Sequence, residues 1–276
     1  MLVTRQLTPR LNSFVHAFKE AHKVGTQARG QRRVAASQAS PAAATTTAAA
    51  AARTPCRASH FRRETVCCSS NRDQEVGPME VEIKLRLPDR GAYDKVASLL
   101  ASSKTASYAQ ENYFFDGDAN QLEATHTVLR LRFYNGNDKA TVTIKGKQVL
   151  DKGIGRASEV EEDVPDAATA RQWLQEPSKM LEASPLVNQL KDKLGIQHLV
   201  GMGGFRNQRD VFQWEGETLE LDQTSYDWGT MYEIEVETVN PEALRPKLET
   251  FLTSNAIQHS YSKSSKFGNF KNKSLL

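Results

Sequence analysis

Apolar and charged residues alternate over Met79–Leu87: Val81, Ile83, Leu85 and Leu87 on one side, Glu80, Glu82, Lys84 and Arg86 on the other. A period of two predicts a β-strand with one apolar and one charged face. The device recurs. Leu129, Leu131 and Phe133 alternate with Arg130 and Arg132, and the run 141–147 carries Lys145 and Lys147 in phase. Glu220 and Asp222 alternate with Leu219 and Leu221, and Tyr232-Glu233-Ile234-Glu235-Val236-Glu237 mirrors the opening strand. Residues 158–164 are acidic; as a strand they set Glu159 and Glu161 on one face, although a one-residue slip would substitute Glu162. A shorter strand is read over 111–115. Turn signals at Asn135-Gly136-Asn137-Asp138, Glu215-Gly216 and Asp227-Trp228-Gly229 imply antiparallel neighbours. Residues 152–155 read as a loop without a phosphate-cradling fingerprint, and 201–210 as loop followed by strand.

Between these runs the period lengthens. Pro88-Asp89 opens a helical pattern with Tyr93, Val96, Leu99 and Leu100 on one side, and a second helical stretch runs from Asp166 through Leu174. Ser184-Pro185 supplies an N-cap and first-turn proline, with Gly195 as the stop. Asn240-Pro241 starts a last amphipathic helix carrying Leu244, Leu248, Phe251 and Leu252, and 262–270 has room for a short helix.

Charge changes the picture because it is unevenly placed. The 276 residues carry +3 overall, but twelve of the 36 Lys and Arg and only four of the 33 acids precede Met79. From Met79 onward 24 basic residues face 29 acidic ones, a net of −5, so a broad basic surface for nucleic acid is not expected. Cys56, Cys67 and Cys68 are the only cysteines and all lie in the leading segment, which leaves the rest without a disulfide, a thiolate nucleophile or Cys-ligated zinc. Residues 1–74, rich in Arg, Ser and Ala and poor in acids, read as an organelle transit peptide, chloroplast favoured over mitochondrion, with a disordered tail as the alternative. Met79 stands where an internal start would give a cytosolic form. No apolar run approaches the length needed to cross a membrane.

The charged faces carry the chemistry. A solvated sheet face intersperses its signs, whereas these strands carry same-sign pairs. Segregated acids and bases suit a multiply charged anion held together with a divalent cation: carboxylates are hard ligands for Mg²⁺ or Mn²⁺, and Arg binds phosphate bidentately. Closing the sheet turns the charged face into a lumen and leaves the apolar face for helices outside. Trp173, Trp214 and Trp228 fit packing on that exterior, and His126, His198 and His259 stand without metal-ligand spacing.

Taken together, Glu80-x-Glu82-x-Lys84, Leu-Arg-Leu-Arg ending at Arg132, Ile144-Lys145-Gly146-Lys147, Asn207-Gln208-Arg209, Glu220-Leu221-Asp222 and Tyr232-Glu233-Ile234-Glu235 resemble the CYTH, or triphosphate tunnel metalloenzyme, superfamily. The chain looks most like the short stand-alone plant tripolyphosphatases, which share the Met-Glu-Val-Glu start and a Gly-Gly-Phe-x-Asn-x-Arg stretch, here 203–209. The resemblance implies an α+β fold over 79–270, followed by a tail at 271–276. Its centre would be a closed antiparallel barrel of about eight strands with helices outside. It implies catalytic roles for Glu80, Glu82 and Lys84, and phosphate binding by Lys84, Arg130, Arg132, Lys145, Arg209 and Lys266. The metal ligands would be Glu80, Glu82, Glu159, Glu161, Asp222, Glu233 and Glu235, holding Mg²⁺ or Mn²⁺. Arg86 and Glu237 read as rim charges. The expected activity is hydrolysis of a small triphosphate: inorganic tripolyphosphate first, then thiamine or nucleoside triphosphates. The alternatives are a class IV-type adenylate cyclase and a non-catalytic module binding polyphosphate or RNA 5′-triphosphate ends.

Overall fold

The computed structural model describes residues 77–276; the leader expected over 1–74 lies outside them. Ten strands form one antiparallel sheet: β1 (Met79–Leu87), β2 (Lys104–Gly117), β3 (Val128–Tyr134), β4 (Lys139–Lys145), β5 (Val149–Asp151), β6 (Ile154–Val164), β7 (Leu199–Trp214), β8 (Glu217–Tyr226), β9 (Gly229–Glu237) and β10 (Ser260–Tyr261). The order β1-β9-β8-β7-β2-β3-β4-β6 closes through pairing of β6 with β1, giving an eight-stranded barrel. β5 and β10 are additions, β10 extending β1 where β6 leaves it. Closure removes the free edges that an open sheet of this length would expose.

The barrel has its apolar side outside. On β1, β8 and β9, Ile83, Leu85, Leu219, Leu221, Ile234 and Val236 point outward and are fully buried under helices α1 (Arg90–Leu99) and α6 (Pro241–Ser254). On β3 and β4, Leu129, Leu131, Phe133 and Val142 are covered by α3 (Ala167–Gln172), α4 (Met180–Ala183) and α5 (Pro185–Leu194). Three of the covering helices, α1, α3 and α5, start at a side-chain cap that the sequence provides. Asp89 accepts from Ala92 N at 2.8 Å, Asp166 from Ala168 N at 2.9 Å, and Ser184 from Val187 N at 3.1 Å, while Gly195 closes α5 at φ +66°. Two short helices remain, α2 (Gln121–Ala124) and α7 (Lys266–Asn272).

Several boundaries differ from the sequence reading. Residues 201–210 are strand throughout, because β7 is the long partner of both β2 and β8. A bulge in the β2–β7 ladder falls beside Gly203 and Gly204; at Gly204 an added Cβ would sit 1.8 Å from the Asn112 carbonyl oxygen, so only glycine allows that approach. Of the loop expected over 152–155, only 152–153 is the turn of a β5–β6 hairpin, with Gly153 at φ +74°; Ile154 and Gly155 already belong to β6. Trp228 does not pack outside. It stacks on Tyr226 and Phe270, within an aromatic cluster formed by Phe114, Phe205 and α7. Among the described residues no helix is long and apolar enough to cross a membrane.

If the outer face is the core, Leu129→Ala should cost roughly 2–5 kcal/mol of unfolding free energy in a urea titration. A wild-type midpoint would contradict this.

Candidate active site

Register fixes which side chains share the lumen. Lys84 lies opposite Glu235 and Arg86 opposite Glu233; Glu235 lies opposite Glu220, and Glu233 opposite Asp222. Asp222 in turn faces Arg209 across the β7–β8 ladder. On the other wall Arg130 and Arg132 lie opposite Thr143 and Thr141, Thr143 opposite Glu161, and Lys145 opposite Glu159. This settles the register of the acidic strand: Glu159 and Glu161 face inward, while Glu162 faces α5 and accepts from Leu186 N at 2.9 Å. A cavity of about 440 Å³ runs between the walls. Its lining also includes His126, Lys147 and Met202.

Like charges directly across a ladder repel, so the pairs Glu220–Glu235 and Asp222–Glu233 need cations wedged between them. Arg209 holds Asp222 through two bonds of 2.8 and 2.6 Å, reaches Glu235 at 2.8 Å and also pairs with Glu220. Lys266, the first residue of α7, brings its ammonium to 2.8 Å from Asp222, 2.5 Å from Glu235 and 3.2 Å from Glu233. Lys84 pairs with Glu235 and lies 3.0 Å from Glu82. At the other wall Lys145 bridges Glu80 and Glu159, the latter at 2.7 Å, and Arg130 lies 3.2 Å from Glu159. Arg132 differs: it donates to Asn112 Oδ1 at 2.8 Å and to the Tyr134 hydroxyl at 3.4 Å, both neutral.

Burial and neighbours set the ionisation. Burial opposes charge on Glu235 and Asp222, yet Lys266 and Arg209 hold both carboxyls below the usual range, with Lys84 adding to the effect on Glu235. Burial likewise works against Lys84 and Lys266, but Glu235, with Glu82 for the first and Asp222 for the second, raises both ammoniums. Glu80 goes the other way. Burial, a hydrogen bond with Glu159 and the charge of Glu82 push it up to about 8, despite Lys145. Its partner Glu159, although also buried, is held at about 2 by Arg130 and Lys145. Two adjacent carboxylates with affinities pushed this far apart can divide proton-holding from charge-holding.

The structure brings Glu80, Glu82, Lys84, Arg130, Arg132, Lys145, Glu159, Glu161, Arg209, Glu235 and Lys266 to the cavity wall, with Asp222 and Glu233 buried directly behind. Arg86, expected at the rim, lies inside; its Nη2 lies 3.4 Å from Glu233 and also donates to the main-chain oxygen of Leu276. Glu237 is exposed. Sequence reasoning missed three supporting groups. Asn207 links Gln110, Asp222 and Thr224 at 3.0, 2.8 and 2.8 Å; Gln148 donates to Glu82 at 2.9 Å; Ser262 donates to Glu233 at 2.5 Å. Asn207 had a signal in its alternation with Arg209, but Gln148 and Ser262 sit in connections that no strand period covers.

A closed antiparallel tunnel, apolar outside and lined by opposed acids and bases, is the class of protein that the fold and site define. The CYTH domain model matches residues 78–267, and the chain belongs to that family. An adenylyl-cyclase-like protein of Hippeastrum, with a dominant triphosphatase activity, is similar at 39% identity and a TM-score of 0.69, over 71% of this chain and 97% of its own. An adenylate-cyclase-like protein of Bacillus halodurans shares the fold at 23% identity and a TM-score of 0.53, over 70% of this chain and 98% of its own. No curated protein sequence gives a significant match.

The Glu80 shift gives a prediction with a definite sign. A carboxyl raised from 4.5 to about 8 stabilises the fold below its ordinary value, and that contribution is lost as pH rises through 8. Glu80→Gln should therefore raise the Tm of the ligand-free protein, relative to wild type, at about pH 8.5 and leave it little changed at about pH 5. Equal shifts at both values would contradict the assignment.

Proposed function

We propose that this protein is a metal-dependent triphosphatase that draws a small triphosphate into the tunnel and releases orthophosphate, with inorganic tripolyphosphate the favoured substrate. The observation that carries the reading is the density of buried charge. Seven cations (Lys84, Arg86, Arg130, Arg132, Lys145, Arg209 and Lys266) share one lumen with eight carboxylates. Burying ion pairs generally costs as much as it returns, so such a lining is poor material for stability alone. Family membership and the activity of the Hippeastrum relative support the same reading.

The donor set fits a hard divalent cation. Carboxylate oxygens, without Cys or His among the central residues, suit Mg²⁺ or Mn²⁺. One of them, Glu233 Oε2, is buried without a hydrogen bond. Among the described residues no three acidic, His or Cys side chains already form a metal cage; Lys84 and Lys266 stand between the candidates. Glu80, Glu82, Glu233 and Glu235 would hold the cation, with Asp222, Glu159 and Glu161 in support. When bound, it neutralises and polarises phosphate oxygens.

The chain's own groups do the remainder. Arg130, Arg132, Lys84, Lys145, Arg209 and Lys266 donate to phosphate oxygens and align the anhydride. Arg132 has no carboxylate to release, which makes it the anchor with the smallest cost of exchange. Water attacks the terminal phosphorus, the bridging P–O bond breaks, and whichever of Glu80 and Glu82 is ionised takes the proton that the water gives up. Lys84, beside Glu82, balances charge on the departing oxygen. Residues 1–74 would direct the protein to an organelle, chloroplast first, on their composition; N-terminal sequencing of the mature protein tests this by the loss or retention of Met1.

The activity is tested by a substrate panel of tripolyphosphate, thiamine triphosphate and ATP, with Mg²⁺ and Mn²⁺, reading phosphate and cyclic AMP. Phosphate release from tripolyphosphate, abolished by chelation, is expected; cyclic AMP from ATP without phosphate release would favour the cyclase. Arg132→Ala should lower kcat/KM roughly 10²–10³-fold with an unchanged Tm. Turnover close to wild type would remove Arg132 from the site.

A further inference from the structure

Among the described residues, Glu233 Oε2 is the one fully buried carboxylate oxygen that accepts no hydrogen bond. Its charged neighbour is the Lys266 ammonium, an ion pair without hydrogen-bond geometry, and a buried oxygen left with so loose a hold is rare in native structures. Other acids in the lumen are engaged through both oxygens: Asp222 by Arg209, Glu235 by Lys84 and Arg209, and Glu82 by Gln148 and Lys84. Glu233 has directed hydrogen bonds on one oxygen only. Its Oε1 accepts from the Ser262 hydroxyl at 2.5 Å and has Arg86 Nη2 at 3.4 Å, while Oε2 faces the Lys266 ammonium at 3.2 Å without a directed bond.

Ser262 is itself built into place. It is 4% exposed and follows β10, whose only two residues pair with Leu85 and Arg86 of β1. Its amide donates to the Lys84 carbonyl oxygen at 3.3 Å. The residue before it, Tyr261, lays its ring over Gly153, where an added Cβ would come within 2.7 Å, and its hydroxyl donates to Glu249 on α6 at 2.9 Å. Those contacts fix the backbone from which the Ser262 hydroxyl reaches Glu233. A donor locked onto one carboxylate oxygen turns the other toward whatever the carboxylate binds, as outer groups do for ligands at metal centres.

Resting on the triphosphatase reading above, we infer that Ser262 is a positioning residue: it clamps Glu233 Oε1 and leaves Oε2, ion-paired with Lys266 in this structure, as the oxygen that would hold the divalent cation. β10 exists in this fold to deliver that clamp. The role is distinct from phosphate binding, because a hydroxyl occupied by Glu233 has no proton left for substrate.

The test is calorimetric titration of Mn²⁺ into the full chain without substrate, alongside metal-dependent kinetics. Ser262→Ala is expected to weaken Mn²⁺ affinity by roughly 10–100-fold, and to raise the KM for metal more than it lowers kcat at saturating metal. Ser262→Thr, which keeps the hydroxyl, should restore most of the affinity. Ser262→Cys, close in volume and a weak donor, should behave like Ala and serves if Ala does not fold. Wild-type affinity in a folded Ala or Cys variant, even with a lowered Tm, would make Ser262 a structural tie only and overturn the inference. Wild-type protein that binds Mn²⁺ and loses it in Ser262→Ala, yet releases no phosphate from any triphosphate, would uphold the clamp and reject the triphosphatase reading. Absence of Mn²⁺ binding by wild type would reject both.

Discussion

Charge placed inside a closed sheet has to be cancelled where it stands, since water cannot reach most of it. Asp222 and Glu233 are almost wholly buried and directly opposite one another, an arrangement that would destabilise the β8–β9 ladder without Lys266, which contacts both, and Arg209 on Asp222. The rest of the molecule follows from that requirement. Closure of β6 onto β1 brings the β1 acid Glu80 to Lys145 of β4, while Arg209 of β7 pairs with acids of β8 and β9 and Arg130 of β3 with those of β6. The apolar residues are then driven outward, and helices have to cover them. Even α7, a short helix late in the chain, is tied to the lumen through Lys266.

The same constraint explains why the site is suited to chemistry on a polyanion. In the ligand-free protein every lumen cation except Arg132 is paired with carboxylates, and each carboxylate with a cation. An entering phosphate chain and a divalent cation can replace these contacts group for group, so the lumen need not gain net charge. Polar groups set behind the ion pairs, among them Asn207 between Gln110 and Asp222, keep the acids oriented while partners exchange. The raised affinity of Glu80 beside the lowered one of Glu159 shows that the lining is not a uniform charged surface.

Alternation along the chain determined much of this. Period two in β1, β3, β8 and β9, together with the caps at Asp89 and Ser184, was enough to assign strands, helices and the charged faces. The same-sign pairing of Glu80 with Glu82, Arg130 with Arg132 and Glu233 with Glu235 pointed to a lumen, because a solvated face gains nothing from it. What the sequence left open were properties of pairing rather than of pattern. The phase of Glu159 against Glu162 depended on where β6 meets β4, and the bulge beside Gly204 on which carbonyl lay across the ladder. Arg86 looked like a rim charge because position within a strand does not reveal how far that strand runs past the mouth. Ser262 and Gln148 carry no periodic signal, since each reaches its acid from a connection. One-dimensional spacing decides which face a side chain takes, but only closure of the sheet decides which other side chain it meets there.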